Sequence, residues 1–179
     1  MKRVFLLFAF SIAMVLSTEV TAQKFGGLDK SPADIASYPT SYRESNKMVR
    51  VIYSRPQLKG RDLSDLAPTG KVWRTGANEA SEITFYQDAT LGGTMVKAGT
   101  YALFTIPGDS EWTLIINKNL NQWGAYSYDK SADVARISAK VSTDSESLEA
   151  FSIAFKEEGS NAEMVMGWGT TRVSVPVEL

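Results

Sequence analysis

A chain of 179 residues with no histidine and no cysteine is closed to most enzyme chemistry: it has no thiolate nucleophile, disulfide, Ser-His-Asp triad or His-bearing zinc site. Its 19 basic and 20 acidic residues give a formal net charge of −1 with no basic cluster, so nucleic acid is not an expected partner. Carboxylate, lysine, tyrosine and arginine chemistry remains, and no cofactor is expected.

The first residues read as an address. Lys2 and Arg3 precede an apolar run over residues 4–16, and small residues follow at Val20 and Ala22. That pattern predicts a secretory signal peptide, residues 1–22, cut after Ala22 to leave Gln23 first. The run is too short to span a bilayer comfortably and no second one follows, so no membrane insertion is expected after cleavage. The predicted location is periplasmic or secreted, and residues 23–179 are the size of one domain. A domain of that size buries enough surface to fold without a metal or a disulfide.

Residues 31–37 carry the one helical signal, a single turn with Ser31 as N-cap and Pro32 at the first helical position. Residues 54–78 then lack strand character. Within them "SRPQLKGR" sets Arg55, Lys59 and Arg61 close together, either to grip an anionic group or, as the favoured reading, to form a solvated loop offset by nearby carboxylates.

"WRTGANE" follows, with Trp73, Arg74, Asn78 and Glu79 around Gly76. One reading makes this a concave rim: a planar donor fork from Arg74, a donor and acceptor from Asn78, a carboxylate from Glu79. The favoured reading is a self-stitched loop, with Arg74 paired to Glu79 across the turn and Trp73 plugging the core.

From Ile83 onward the chain alternates as strands do. "ITFYQ", "YALFTI", "WTLIIN" and "TRVSVPV" are of strand length, and "FSIAF" and "EMVMGW" place Phe151, Ile153, Phe155, Met164, Met166 and Trp168 toward one core. Leu114, Ile115 and Ile116 form a continuous apolar run, as in a strand covered on both faces. Turn signals fall at "LGG", "PGDS" and "EEGSN". The predicted fold is all-β: a single antiparallel β-sandwich, jelly-roll-like.

Residues 118–133 again lack strand character. Here Trp123, Tyr126 and Tyr128 form a stacking platform beside Asn117, Asn119 and Asn121, suited to a sugar, or Trp123 folds inward to close one end of the fold, the favoured reading. Asp129 and Asp133 match no calcium loop of fixed ligand pattern, so no metal site is assigned.

"LDKSPADIASYP", "YSRPQLKGR", "GKVWRTGANEASEITF", "KAGTYALFTIPG", "EWTLIINK" and "QWGAYSY" together resemble the domain of unknown function family 2911, a family of exported bacterial proteins, across nearly the whole mature chain. Leu63 and Ser64 depart from it, standing where the family shows an aromatic and a glycine after Gly-Arg. The resemblance implies export and a β-rich domain, and it carries no activity.

Three functions survive these exclusions. The first is a non-catalytic binding module for a small polar or carbohydrate-like ligand, using Arg74, Asn78, Glu79, Trp73, Trp123, Tyr126 and Arg55. The second is a carboxylate-based hydrolase with Glu79 and a partner such as Asp62, Asp129 or Asp133. The third is a module that binds another envelope protein through a sheet edge or loop. They rank in that order, and no residue is assigned a catalytic role.

Overall fold

The computed structural model describes residues 22–158 and 161–179. The predicted leader, apart from Ala22, lies outside the described residues, as does the middle of the "EEGSN" turn. No helix among the described residues is long and apolar enough to cross a membrane.

Nine strands follow in chain order: β1 (Ala33–Tyr38), β2 (Val49–Ser54), β3 (Ser81–Phe85), β4 (Ala89–Leu91), β5 (Thr94–Val96), β6 (Gly99–Ile106), β7 (Glu111–Asn117), β8 (Asp133–Glu158) and β9 (Asn161–Glu178). Hydrogen bonds join them into one sheet in the order β1-β2-β3-β6-β7-β8-β9-β4-β5, each neighbour antiparallel. The all-β antiparallel expectation holds.

Residues 31–37 are a correction. They form β1 and not a helical turn, because pairing with β2 from Ala33–Ser54 to Tyr38–Val49 outweighs the local Ser-Pro signal. The helix present is a single turn, α1 (Leu63–Leu66), inside the first long loop.

Period-two alternation builds the core. Val49, Val51 and Tyr53 of β2, Ile83 and Phe85 of β3, Leu114 and Ile116 of β7, and Phe151, Ile153 and Phe155 of β8 share one buried cluster with Met164, Met166 and Trp168 of β9. The sheet turns back on itself to enclose it. Tyr53 Oη accepts the Ile153 N–H at 3.0 Å, and Arg55 Nε donates to Phe151 O at 3.1 Å, tying β2 to the distal half of β8. In β9 the buried positions run Met164, Met166, Trp168 and then Val173, Val175, Val177. The change of parity falls at Gly169, whose φ of +55° suits glycine.

The turns fall where glycine punctuates the sequence. Gly92, with φ +53°, joins β4 to β5, and a side chain there would collide with the Ile137 methyl group. The hairpin it closes crosses the fold to pair with β9.

The outward face of β6 and β7 is covered as well. Ala102 and Phe104 of β6 and Ile115 of β7 are buried with Ala80 in a second cluster, against which Val72, Ala125 and Tyr128 pack. The apolar run at 114–116 is therefore buried from both sides. Its cover is the two long loops, 54–80 and 118–132, so the fold brings both polar clusters of the sequence to one face.

A candidate ligand cleft between two braced loops

Trp73 starts the first loop's return to the sheet. Its N–H and C=O bond Thr105 of β6 at 2.7 and 2.9 Å, which makes it a short extra rung beside that strand. Its ring is 6% exposed, stacked on Trp168 at 5.6 Å and edge-on to Phe151 and Trp112. Trp73 thus plugs the core, as the favoured reading expected, and it also lines the cleft described below. Because Trp73 points inward, alternation sends Val72 and Arg74 outward, Val72 onto the second cluster.

The loop then stitches itself down. Thr75, fully buried at φ +53°, places its hydroxyl 3.2 Å from the Thr105 hydroxyl, and Ser81 Oγ donates to Thr75 O at 2.7 Å. Gly76 is pressed against Ser54, where a Cβ would lie 3.1 Å from the Ser54 carbonyl oxygen. A backbone bridge between Glu79 and Trp123 then clasps this loop to the other.

The second loop is bolted at its far end. Asn117 Nδ2, from a side chain 1% exposed, donates to Asp133 Oδ1 at 2.7 Å and to Asp129 O at 2.9 Å. Tyr128 lays its ring edge-on to Phe104 at 5.2 Å and donates to Asp133 Oδ2 at 2.6 Å, while Arg136 pairs with the same carboxylate at 2.8 Å. Burial, reinforced by the Asp133 carboxylate, pushes the Tyr128 phenol up to about 12. Asp129 caps the 3₁₀ turn Lys130–Ala132 through Ser131, whose side-chain and backbone hydrogen bonds hold its carboxyl below the usual value. Asp133 is thereby occupied by protein donors, and Tyr128 and Asn117 are braces and not part of a stacking platform.

What remains outward is specific. Trp123 is 64% exposed and Tyr126 84% exposed. The favoured inward placement of Trp123 is therefore corrected: the Glu79 bridge holds it on the outer side. Beside Tyr126 opens a cleft of ≈ 380 Å³, walled by Pro68, Lys71, Val72, Arg74 and Ala125, with Trp73 at its floor. Gly124 supports the Tyr126 ring, since a side-chain carbon there would lie 2.8 Å from Tyr126 Cε2 and 3.6 Å from Arg74 Nη1.

Two expected roles are revised. Arg74 and Glu79 form no ion pair; among the described residues Arg74 makes no side-chain hydrogen bond, and its Nε is shielded from water without a partner. Asn78, at φ +61°, turns the backbone between them. Glu79 lines a separate depression of ≈ 170 Å³ with Glu82, Ser81 and Asn121. Neither Asp62, Asp129 nor Asp133 lines it, so the carboxylate pairs considered for hydrolysis are not brought together there. Arg55 is committed to the scaffold, pairing with Asp34 at 3.1 Å and donating to Ser152 Oγ at 2.7 Å, so it is withdrawn as a ligand contact. A further depression of ≈ 370 Å³ beside α1 offers Asp109 and no cation.

Lys71 escaped sequence reading. No local signal marks it: alternation gives Lys71 the parity of the inward Trp73, and it reaches the cleft only because the chain is still in the turn that follows Pro68.

These features define an all-antiparallel β protein whose two long loops, braced to each other, build a cleft on the outer face of the sheet. The chain belongs to the family described as protein of unknown function (DUF2911), whose model matches residues 31–177, from the threshold of β1 to the last buried valine of β9. Comparison with curated proteins and with solved structures returned no match.

Proposed function

We propose that the protein is an exported, non-catalytic binding module that holds a small polar, carbohydrate-like ligand against Trp123 and Tyr126. The observation that carries this reading is the exposure of Trp123 on a loop that is not free to move. Leaving a ring of that size in water forgoes about 1.5–3 kcal/mol of burial. The clasp to residues 78–80 and the Asn117–Asp133 bolt hold it there nonetheless. A backbone already held in place costs little to order on binding, and the exposed indole face suits the apolar side of a sugar ring.

Tryptophan fluorescence titration with a panel of oligosaccharides tests the proposal. Saturable binding is expected, weakened about tenfold or more by Trp123→Ala, equivalent to about 1.4 kcal/mol. Binding that survives that substitution unchanged places the site elsewhere and rejects the reading.

A further inference from the structure

We propose that the ligand carries an oxyanion, and that Arg74 and Lys71 seat it in the cleft beside Tyr126; this deepens the binding reading above and rests on it. The cleft holds two cations and no acidic side chain among its lining residues. Neither cation has a partner among the described residues, which sets Arg74 apart from most arginines of the fold. Arg55 pairs with Asp34, Arg136 with Asp133 and Arg172 with Asp144, and Arg61 donates to two backbone carbonyls. Arg50 also has an unpartnered Nε, but its guanidinium lies over the Tyr86 ring at 5.9 Å.

Arg74 has neither kind of compensation. A partly buried guanidinium with an unpaired donor is costly unless an anion reaches it, and its planar fork matches the oxygens of a carboxylate or phosphate. Lys71, exposed at the mouth, adds a mobile charge that can meet the same group. Tyr126, held over Gly124, forms the remaining wall and can cover the ring that bears the anion. The ligand class this describes is an acidic saccharide, its charge supplied by a uronate carboxylate or by a phosphate.

The test is an amide-resolved NMR titration of the ¹⁵N-labelled protein with a neutral oligosaccharide, its uronate counterpart, a sugar phosphate and inorganic phosphate. One or both of the acidic sugars is expected to bind at least tenfold more tightly than the neutral one, shifting amides at residues 71–74 and 124–126. The preference shrinks as salt is raised. Arg74→Gln is expected to reduce the ratio of acidic-sugar to neutral-sugar affinity by about tenfold, equivalent to about 1.4 kcal/mol, and an unchanged ratio in the folded variant overturns the assignment of the anion to Arg74. Lys71→Gln, at an exposed position, serves as the second variant should Arg74→Gln fail to fold. Equal binding of neutral and acidic sugars overturns the oxyanion assignment and leaves the aromatic site standing. Phosphate binding at residues 71–74 without any sugar binding does the reverse. Shifts for no probe overturn both.

Discussion

Glu79 and Trp123 face each other across a one-residue antiparallel bridge, closed by Ala80 N–H to Gln122 O at 2.8 Å and Gly124 N–H to Asn78 O at 2.9 Å. Residues opposed in this way form the narrow, non-hydrogen-bonded pair, and their side chains project to the same side. Ala80 is buried in the second cluster, so that side is the outer one. The bridge therefore presents a carboxylate and an indole together while its backbone joins the two loops.

The backbone, and not the Glu79 carboxylate, supplies the clasp. Glu79→Gln should leave stability within about 0.5 kcal/mol of the parent, as at an exposed site with no ion pair. Thermal melts of the two proteins check this. A loss of 2 kcal/mol or more, on the order expected for a broken charge-assisted bond, would show that Glu79 braces the fold after all.

Much of the fold was legible because alternation is a local signal. Phe151, Ile153 and Phe155, and Leu114 to Ile116, announce their faces from neighbours two positions away. The failures share one cause. Residues 31–37 read as a helical turn because Ser31-Pro32 is a local start signal, whereas β1 exists only through β2. Arg74 and Glu79 read as a pair because they lie five positions apart, but the positive φ at Asn78 turns them to different depressions. Trp123 points outward because of a partner at Glu79, far away in the chain, which no window around Trp123 contains.

The Tyr128 phenol links stability to alkaline pH. Its folded value is pushed up to about 12 from an ordinary 10.0, so the unfolded chain gives up this proton first. The contribution is fully present below pH 10 and is lost as pH rises from there through the folded value. Tyr128→Phe removes that share of the slope and also frees Asp133 of one donor. Urea midpoints at pH 9, 10.5 and 11.5 should fall more steeply for the parent than for Tyr128→Phe. Parallel slopes would remove Tyr128 as the source.

Export remains a proposal that one measurement decides. If the proposal holds, protein recovered from whole cells begins at Gln23 on N-terminal sequencing, since Val20 and Ala22 follow the apolar run in the pattern of a cleavage site. Recovery of the chain from the cytoplasm with Lys2 and Arg3 intact would reject it.

Gly124 tests whether the cleft's wall is built or incidental. Its φ of +67° lies where an L side chain is strained, and a Cβ would stand 2.8 and 2.9 Å from two carbons of the Tyr126 ring. Both are closer than carbon atoms approach without displacement, and the flexible partner is the one that yields. Gly124→Ala should therefore swing Tyr126 off its seat and cost about 1 kcal/mol or somewhat more through backbone strain. The bridge beside it, formed by backbone groups of residues 78–80 and 122–124, survives if the strain stays local. The expected pattern is a small drop in the denaturation midpoint, altered Tyr126 ring shifts by NMR and weaker binding of any cleft ligand, with Trp123 fluorescence unchanged. A variant with unmoved Tyr126 shifts and full affinity would show that the ring has other seats and that Gly124 does not shape the cleft.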